Sequence, residues 1–517
     1  MRFGWPWRFA VGAISCSIAA ASWLTFGGDA QRSGWAKDET AISPETVKGM
    51  RLVWKLKLDN EPNELNSLTS PVVINPVYTN HGAETYVVVG GSSDNLYVID
   101  ADAGKVVWQK HFTDEAPPDK SPQAGTYFCP DALNDTPLIQ QGHNGPTVYV
   151  TGIDGRLHAL NIVNGEDRMP PKQFVPAYSK NWSLNLAAGM IYTSTSQGCA
   201  QTKSGVWGLD VNNWSSPVNM FQSDPYGGGI WGRGGVSIGS DGLVYAETGD
   251  GAFDPEHGKY ADSVVALSPK DLKIVDYFTP ANAAYLTRKD LDMGNSTPVL
   301  FSYKNRELLV ASGKEGKLFL LDAKSLGGDT HRKPLFETPL YVNEEADIAG
   351  RGFWGAFATW QDEKGDRWIY AAAWGKPARA ASAFPLKNGD APEGSIMAFK
   401  VEDKDGQPVL TPAWMSHNMA VPEPPVVANG VVFAISSGEF VRQIDENGAI
   451  YTAAQRIKNT TGHAVLYAFD AETGKELYSS GDTMPSFTHF GALAVSDGQV
   501  FMTTHDSTVY AYGLAGQ

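Results

Sequence analysis

Hydrophobic and polar residues alternate with a period of two in short runs along most of the chain, a pattern typical of half-buried β-strands. The clearest run covers residues 86–112, YVVVGGSSDNLYVIDADAGKVVWQKHF, in which strand-like segments are separated by turns and the last one carries Trp108. The alternation together with the Asp-Ala-Gly-Lys turn predicts an antiparallel meander.

This pattern recurs at intervals of about 40 to 80 residues, the length of one four-stranded propeller blade plus insertions. Eight copies are recognisable, beginning at Tyr86, Val148, Val206, Val244, Leu308, Ser395, Val431 and Val500. The content of 54 Gly, 31 Pro and 11% aromatic residues agrees with many short strands joined by tight turns. We therefore predict an all-β, eight-bladed β-propeller of four-stranded antiparallel blades. Two packed β-sandwiches are the alternative.

The last copy ends at the C-terminus and needs an outer strand. Either WLTFGGDAQRSGW, residues 23–35, or LVWKLKL, residues 52–58, could supply that strand and close the ring. Closure removes sheet edges that would otherwise invite aggregation. We expect residues 23–517 to form one propeller domain.

The first residues have the features of a secretory signal peptide, predicted here as residues 1–22. Arg2 and Arg8 precede an apolar stretch, residues 9–21, that ends in small residues. The stretch is shorter than the roughly 20 residues that span a bilayer. The residues before Cys16 make a poor lipidation signal, so we expect a periplasmic or secreted protein without a transmembrane anchor after cleavage.

Charge and cysteine content narrow the possible partners. The net charge of −16 argues against binding to nucleic-acid phosphates. After signal cleavage the cysteines are Cys129 and Cys199, and neither lies in a Cys-x-x-Cys-His haem motif. Electrons extracted by this chain would have to pass to a separate carrier.

Two turn segments carry a family resemblance. DADAGKVVW at residues 100–108 and DAETGKELY at residues 470–478 resemble the tryptophan-docking motif of the pyrroloquinoline-quinone (PQQ) dehydrogenases. The N-terminal segment from residue 23 to residue 58 is similar to the start of PQQ-dependent alcohol dehydrogenases. The resemblance covers nearly the whole mature chain. It implies that Trp108 and its weaker equivalents, including Tyr478, pack blade against blade and are not site residues.

Residues 227–254 resemble the family segment in which a Trp stacks under the quinone and an Asn binds the metal. By this resemblance, Trp231 contacts PQQ, and Asp250 replaces the Asn as a ligand for Ca²⁺ or a lanthanide, which prefer hard oxygen donors. The alternative is that Trp231 belongs to the core and Asp250 to an exposed turn.

Residues 286–300 resemble the family's Trp-Asp-x-Asp segment, although Arg288 and Lys289 precede Asp290 and the Trp is missing. The resemblance makes Asp290 the general base and a ligand of the metal, and Asp292 an added metal ligand. Residues two apart on an extended strand face the same way, and two such carboxylates would need a cation between them. An ordinary solvated turn is the alternative.

Residues 311–322 resemble the family segment that directs a cation toward the quinone oxygens, a position that Lys314 takes here. Such a cation would stabilise charge that develops on the quinone as it is reduced. Without the resemblance, a Lys in a Gly-containing turn is an ordinary hairpin tip.

The chain departs from the family at its cysteines. The family often places two adjacent, bonded cysteines above the quinone, whereas here Cys129 stands alone. A metal-binding Glu is expected near the position of Cys199 and is absent. A Cys129–Cys199 disulfide would then bridge neighbouring blades and take up the ligand position. Two free, distant cysteines are the alternative.

The functional prediction is an exported PQQ-dependent dehydrogenase, an oxidoreductase that transfers hydride from an alcohol or polyol to PQQ. The expected partners are a small alcohol and an electron acceptor such as a c-type cytochrome. The chain contains no Gly-x-Ser-x-Gly, Walker or His-Glu-x-x-His motif for hydrolase or nucleotide chemistry. A propeller that has lost its cofactor and serves as a binding or assembly scaffold is the alternative function.

Overall fold

The structure is a computed structural model that describes residues 21–346, 350–440, 442, 444–460 and 462–514. All but the last two residues of the predicted signal peptide lie outside these ranges. Within them, no helix has the length and apolar character needed to cross a membrane.

Eight sheets of four to six strands account for most of the described chain, and we number them I to VIII. The strands of sheets I to IV are, for sheet I, Val72–Thr79, Gly82–Gly91, Asn95–Asp100 and Lys105–His111; for sheet II, Leu138–Gln140, Thr147–Thr151, Arg156–Asn161 and Lys172–Gln173; for sheet III, Lys180–Asn181, Asn185–Ala187, Met190–Ser196, Ser204–Asp210 and Asn219–Asp224; and for sheet IV, Ser237–Ile238, Val244–Glu247, Val264–Leu267 and Ile274–Phe278.

The remaining four sheets follow in chain order, apart from short strands contributed from a distance. Their strands are, for sheet V, Val299–Tyr303, Arg306–Ser312, Leu318–Asp322 and Phe336–Glu337; for sheet VI, Ser296–Thr297, Gly352–Gln361, Arg367–Trp374, Leu386–Lys387, Gly394–Lys404 and Gln407–Met415; for sheet VII, Trp35–Ala36, Val426–Ala428, Val431–Ser436, Val465–Asp470 and Glu476–Ser479; and for sheet VIII, Arg51–Lys57, Ala494–Ser496, Gln499–Thr504 and Thr508–Gly513. A two-stranded ribbon, Phe253–Asp254 with Lys259–Tyr260, projects from sheet IV.

Helices are few and short in this part of the chain. The α-helices are Ala283–Lys289 and Ala453–Lys458, and the 3₁₀ turns are Thr46–Gly49, Cys199–Gln201, Pro255–His257, Gly328–Thr330, Arg379–Ala383 and Gly481–Thr483.

Each of the recognised sequence repeats falls in a different sheet. Within each sheet the main strands are antiparallel and mostly follow one another along the chain, as a meander requires. Parallel pairing among the described strands is confined to short edge strands such as Trp35–Ala36, which pairs with Val427 and Ala428. The predicted all-β propeller of antiparallel, four-stranded blades is confirmed at this level.

Buried apolar clusters join each sheet to the next. For example, Val88 and Val98 of sheet I pack with Val148 and Val150 of sheet II in one cluster. Equivalent clusters join II to III, III to IV, IV to V, V to VI and VI to VII. A final cluster contains residues of sheets VII, VIII and I. The faces of the sheets are thus buried against one another in a ring.

Tryptophans reinforce these contacts between sheets in a repeated way. Trp108 Nε1 donates a hydrogen bond to the carbonyl oxygen of Ile162 at 2.7 Å, and its ring covers Gly165 of the next sheet. A Cβ at Gly165 would lie 2.9 Å from that ring, so the turn accepts only Gly here. Trp54 binds the Ala101 carbonyl in the same manner at 2.6 Å. These aromatic residues are structural contacts.

The N-terminal and C-terminal parts of the described chain meet in sheet VIII. Strand Arg51–Lys57 pairs antiparallel with Thr508–Gly513 along its whole length. Of the two candidate segments, the one at residues 52–58 therefore supplies the outer strand, while Trp35–Ala36 adds to sheet VII. Loops from several sheets approach the centre of the ring at one end and form the candidate site.

Candidate functional site

A cavity of about 410 Å³ opens among loops of several sheets, including the segment after sheet I and loops of sheets III, IV, V and VII. Its lining includes the residues predicted at the site in segments 227–254, 286–300 and 311–322, namely Trp231, Asp250, Asp290, Asp292 and Lys314. The structure therefore brings together five residues that are up to 83 positions apart in the sequence. Their chemical roles remain predictions.

The centre of the cavity wall is an ion cluster. Lys314 Nζ lies 2.6 Å from Asp290 Oδ1 and 2.7 Å from Asp292 Oδ1. Lys314 and Asp292 are almost completely buried, whereas about half of the Asp290 side chain is exposed. Burial alone would lower the pKa of Lys314, but Asp292 and Asp290 raise it above its ordinary value. The lysine is therefore a permanent cation.

The backbone also holds this cluster together. The amide of Lys314 donates to the Asp292 carbonyl at 3.1 Å, directly after strand Arg306–Ser312. Gly313 permits this approach, because a Cβ at that position would lie 2.7 Å from the same carbonyl oxygen. Lys314 is thus fixed at both its backbone and its side chain.

The segment that carries Asp290 is a helix end, so the predicted extended strand is wrong. Helix Ala283–Lys289 ends at Asp290, whose φ of +51° is left-handed and whose amide donates to the Leu286 and Thr287 carbonyls. The Ala-Ala-Tyr-Leu start favours a helix over a strand. The two carboxylates do face one site and share a cation, as expected, but that cation is Lys314.

Burial raises the pKa of Asp290, and Asp292 adds to this shift while Lys314 opposes it. The raised pKa favours proton acceptance more than an ordinary surface carboxylate would. Half exposed in the cavity, Asp290 is accessible to a small molecule. The solvated-turn alternative does not describe Asp292, which is buried and paired with Lys314, whereas Asp290 is paired but half exposed.

Trp231 is part of the same cluster. Its Nε1 donates to Asp292 Oδ2 at 2.9 Å, and Lys314 Nζ lies 5.2 Å from its ring centroid. The ring contacts the edge of Trp354, which in turn stacks on Trp374 with a centroid distance of 4.3 Å. This aromatic support fixes the orientation of Trp231 at the cavity wall.

Asp250 follows strand Val244–Glu247 and lies beside the cluster without a cation of its own. Burial, together with Asp292 and Asp290, raises its pKa to about 6. The three neighbouring carboxylates repel one another, and a metal ion bound between them would relieve that repulsion. In the part of the chain that the structure describes, however, no group of three His, Cys, Asp or Glu side chains is arranged to hold one.

The donor set of Asp250, Asp290 and Asp292 therefore does not fit a metal ion in this arrangement. The Lys314 ammonium already contacts two of these carboxylates, and Trp231 donates to one of them. Binding of Ca²⁺ or a lanthanide stays a prediction from the resemblance, and no step below depends on it.

The predicted disulfide between Cys129 and Cys199 is present. Cys129 lies in the segment between sheets I and II, and Cys199 lies between two strands of sheet III. The bond thus fixes the loop that brings Tyr127 and Phe128 to the cavity wall. The alternative of two distant free thiols is wrong, and Cys199 has no thiolate to offer a metal.

Sequence reasoning missed a second group of polar and charged residues at the cavity. Glu439 forms an ion pair with Arg456, on helix Ala453–Lys458, and a hydrogen bond with His489, whose Nδ1 lies 2.8 Å from Glu439 Oε2. Burial lowers the pKa of His489 to about 4 against the opposing effect of Glu439, so the imidazole is neutral near pH 7. No motif in the sequence marks these residues.

Lys180, in strand Lys180–Asn181, is another missed residue. Its Nζ donates to the Tyr127 carbonyl at 2.8 Å and lies 5.6 Å from the Trp182 ring centroid. Burial, and to a smaller extent Arg456, lower its pKa to about 7. In the sequence it is indistinguishable from a surface lysine.

Comparison with known proteins gives a consistent result. Residues 36–216 match a family model, PQQ_2, described as outer membrane protein assembly factor BamB. A 1-butanol dehydrogenase (cytochrome c) of Thauera butanivorans is 23% identical over an alignment of 540 residues. The alignment covers 90% of this chain and 73% of the relative.

Solved structures show the same fold at low identity. The quinohemoprotein alcohol dehydrogenase of Comamonas testosteroni has a TM-score of 0.61 at 16% identity, covering 97% of this chain and 82% of the other. A europium-containing methanol dehydrogenase has a TM-score of 0.60 at 13% identity, covering 96% and 98%. By sequence and by fold this chain is similar to the quinoprotein alcohol dehydrogenases, which confirms the resemblance drawn from its motifs.

Proposed function

We propose that this chain oxidises an alcohol with PQQ bound in the cavity beside Trp231. The observation that carries the proposal is the joint position of Trp231, Asp290 and Lys314 on one cavity wall. An indole face, a half-exposed carboxylate and a buried ammonium together suit a planar, anionic redox cofactor and an alcohol that must lose a proton. The similarity to alcohol dehydrogenases supports the same activity.

The cavity fits a quinone of this kind in size, and its lining carries three cations beside Asp250, Asp290 and Asp292. Its volume of about 410 Å³ lies in the range of small-molecule sites, ~300–1,000 Å³. PQQ carries carboxylates on a flat ring system, and the walls offer Lys180, Lys314 and Arg456 as cations. Aromatic residues on the same walls provide surfaces for the ring.

When bound, the quinone would supply the two-electron acceptor for the alcohol carbon. Asp290 would accept the hydroxyl proton, since its carboxylate is accessible from the cavity. Lys314 would hold Asp290 in place and direct positive charge toward the site of reduction. Asp292 would keep Lys314 and the Trp231 indole oriented. Cys129 would act only through the disulfide, by fixing the loop over the cofactor.

Further parts of the proposal rest on the sequence. We propose that sheets I to VIII are the eight blades of one domain, residues 23–517, and that residues 1–22 direct export to the periplasm or beyond. Without a haem motif in the chain, electrons would pass to a separate acceptor such as a c-type cytochrome. The name of the Thauera butanivorans relative, which includes cytochrome c, supports that acceptor.

A cofactor-free scaffold is the second candidate. The description of the matched family model as an outer membrane assembly factor favours it for residues 36–216. The buried cations of the cavity weigh against it, because a scaffold that binds partners at its surface has no need of them.

The test is titration of the purified chain with PQQ, alone and with Ca²⁺ or La³⁺, followed by absorbance and by intrinsic Trp fluorescence. We expect saturable binding and dye reduction that depends on added 1-butanol or another primary alcohol. Absence of both binding and dye reduction under all three conditions would leave the scaffold as the function.

A further inference from the structure

Lys180 is a buried cation without an acidic partner. The residue is 8% exposed, and the hydrogen bond from Nζ to the Tyr127 carbonyl is its polar contact among the described residues. No carboxylate of the described chain lies within 4.0 Å of the ammonium. A buried charge in this state costs free energy unless something else compensates it.

The neighbouring cations differ from Lys180 in this respect. Arg456 is paired with Glu439, and Arg233 is paired with Glu423. Because both buried glutamates are already engaged, neither can neutralise Lys180. Lys180 is therefore the cation of this group that has no acidic partner among the described residues.

Lys180 also occupies a distinctive place in the ring. It lines both the 410 Å³ cavity and a smaller void of about 60 Å³, together with Trp182, His489 and Phe490. Trp182 is held by a hydrogen bond from Nε1 to Ser196 Oγ at 2.9 Å. Lys180 thus belongs to the wall that the two spaces share, beside a fixed aromatic ring.

We propose that Lys180 is the anchoring cation of a carboxylate-binding subsite in this cavity, flanked by Trp182 and Phe490. The ligand class is a carboxylate attached to a planar or short carbon skeleton. This inference rests on the proposed function. Two sources share this chemistry: a carboxylate of PQQ itself, or the carboxylate of a hydroxy-acid substrate. The ligand would supply the negative charge that the fold omits.

The test compares wild type with Lys180→Met, Lys180→Arg and the control Lys270→Met. Lys270 is an exposed lysine whose side chain forms no hydrogen bond or ion pair with the described residues. The probes are PQQ, its uncharged trimethyl ester, and 4-hydroxybutyrate beside 1-butanol. Dissociation constants are measured by fluorescence quenching, and circular dichroism and the melting temperature report whether each variant is folded.

If a PQQ carboxylate is the ligand, Lys180→Met weakens PQQ binding by about tenfold or more, the scale of a lost charge-assisted hydrogen bond. Lys180→Arg retains most of the affinity, Lys270→Met retains all of it, and the ester binds all four proteins alike. If a substrate carboxylate is the ligand, PQQ affinity is unchanged and only 4-hydroxybutyrate binding is lost in Lys180→Met.

Unchanged affinity of Lys180→Met for both PQQ and 4-hydroxybutyrate would overturn the subsite while leaving the proposed dehydrogenase intact. Conversely, a wild type that fails to bind PQQ but binds 4-hydroxybutyrate in a Lys180-dependent way would support the subsite and remove the quinone from the proposed function. The two proposals therefore fail separately.

Discussion

Lys314 Nζ lies 2.7 Å from Asp292 Oδ1, and the two side chains are 6% and 1% exposed. This buried pair joins the strand end of sheet V to the segment that enters sheet VI, and Asp290 completes it from the cavity side. The family resemblance placed a metal ion near these carboxylates. The structure gives them a cation from the chain itself.

Removal of this internal cation should destabilise the fold. In Lys314→Met, Asp292 would remain buried, and its side-chain hydrogen-bond partner among the described residues would be Trp231. Breaking one side of a buried ion pair costs about 3–5 kcal/mol. We expect a fall of that size in the free energy of unfolding, measured by urea denaturation at neutral pH, against a negligible change for the exposed Lys270→Met.

The double variant Lys314→Met with Asp292→Asn serves as the control for this prediction. Removing both charges should recover much of the lost stability, because neither partner is then left buried and ionised. A double variant no more stable than Lys314→Met alone would show that the loss comes from packing and not from charge.

The propeller was predictable because the sequence features that specify its strands and turns are local and repeated. Period-two alternation and turn residues identify the strands, and the pairing of Trp108 with a Gly turn recurs at Trp54 with Gly104 and at Trp414 with Gly474. The choice of closing strand was not predictable, since residues 23–35 and 52–58 both had suitable patterns. Their difference lies in contacts with distant strands, which a single sequence does not display.

The candidate site was only half predictable. Trp231, Asp292 and Lys314 stand in motif-like segments, so their meeting could be expected from the resemblance. Lys180 and the Glu439 cluster lie outside any motif, and their importance arises from burial and from the pairing of charges across the ring. Such properties depend on the assembled fold.

Asp290→Asn should separate chemistry from binding. Asparagine keeps the shape and tolerates the left-handed backbone at this helix end, but it cannot accept the alcohol proton. General base catalysis contributes about 10²–10⁴-fold. We expect kcat to fall by that order with alcohol as substrate while the PQQ dissociation constant stays within a few-fold.

Asp405→Asn is the matched control for that variant. Asp405 is exposed at a hairpin tip and has a similar positive φ, +54° against +51°. It should turn over alcohol like the wild type. Equal activity of Asp290→Asn and Asp405→Asn would remove the proton-accepting role from Asp290.

The disulfide should stabilise the fold through the length of the loop that it closes. Cys129 and Cys199 are 70 residues apart, and cross-linking a loop of this length contributes about 4 kcal/mol through the entropy of the unfolded chain. We expect Cys129→Ser with Cys199→Ser to lose a large part of this stability and to loosen PQQ binding through Tyr127 and Phe128. A thiol titration of the unfolded, unreduced wild type should find neither of these two thiols free.

Lys180 should make stability depend on pH in a direction opposite to that of a paired lysine. Its pKa falls from 10.5 to about 7 in the folded chain because of burial and the nearby Arg456. Between these values the unfolded state binds more protons than the folded state, so this group makes stability rise with pH. The free-energy cost of burying the charged lysine is fully present below pH 7 and disappears above about pH 10.5.

Lys180→Met removes this cost. The variant should therefore be more stable than wild type at about pH 6, and the difference should shrink as the pH rises toward about 9.5 in urea denaturation series. Glu439, which is paired with Arg456 and has a lowered pKa, stays charged across the range, and His489 stays neutral, so they do not imitate this slope. A carboxylate ligand should flatten the wild-type slope by restoring the charged lysine. A pH-independent difference between the two proteins would mean that Lys180 is already compensated in the free chain.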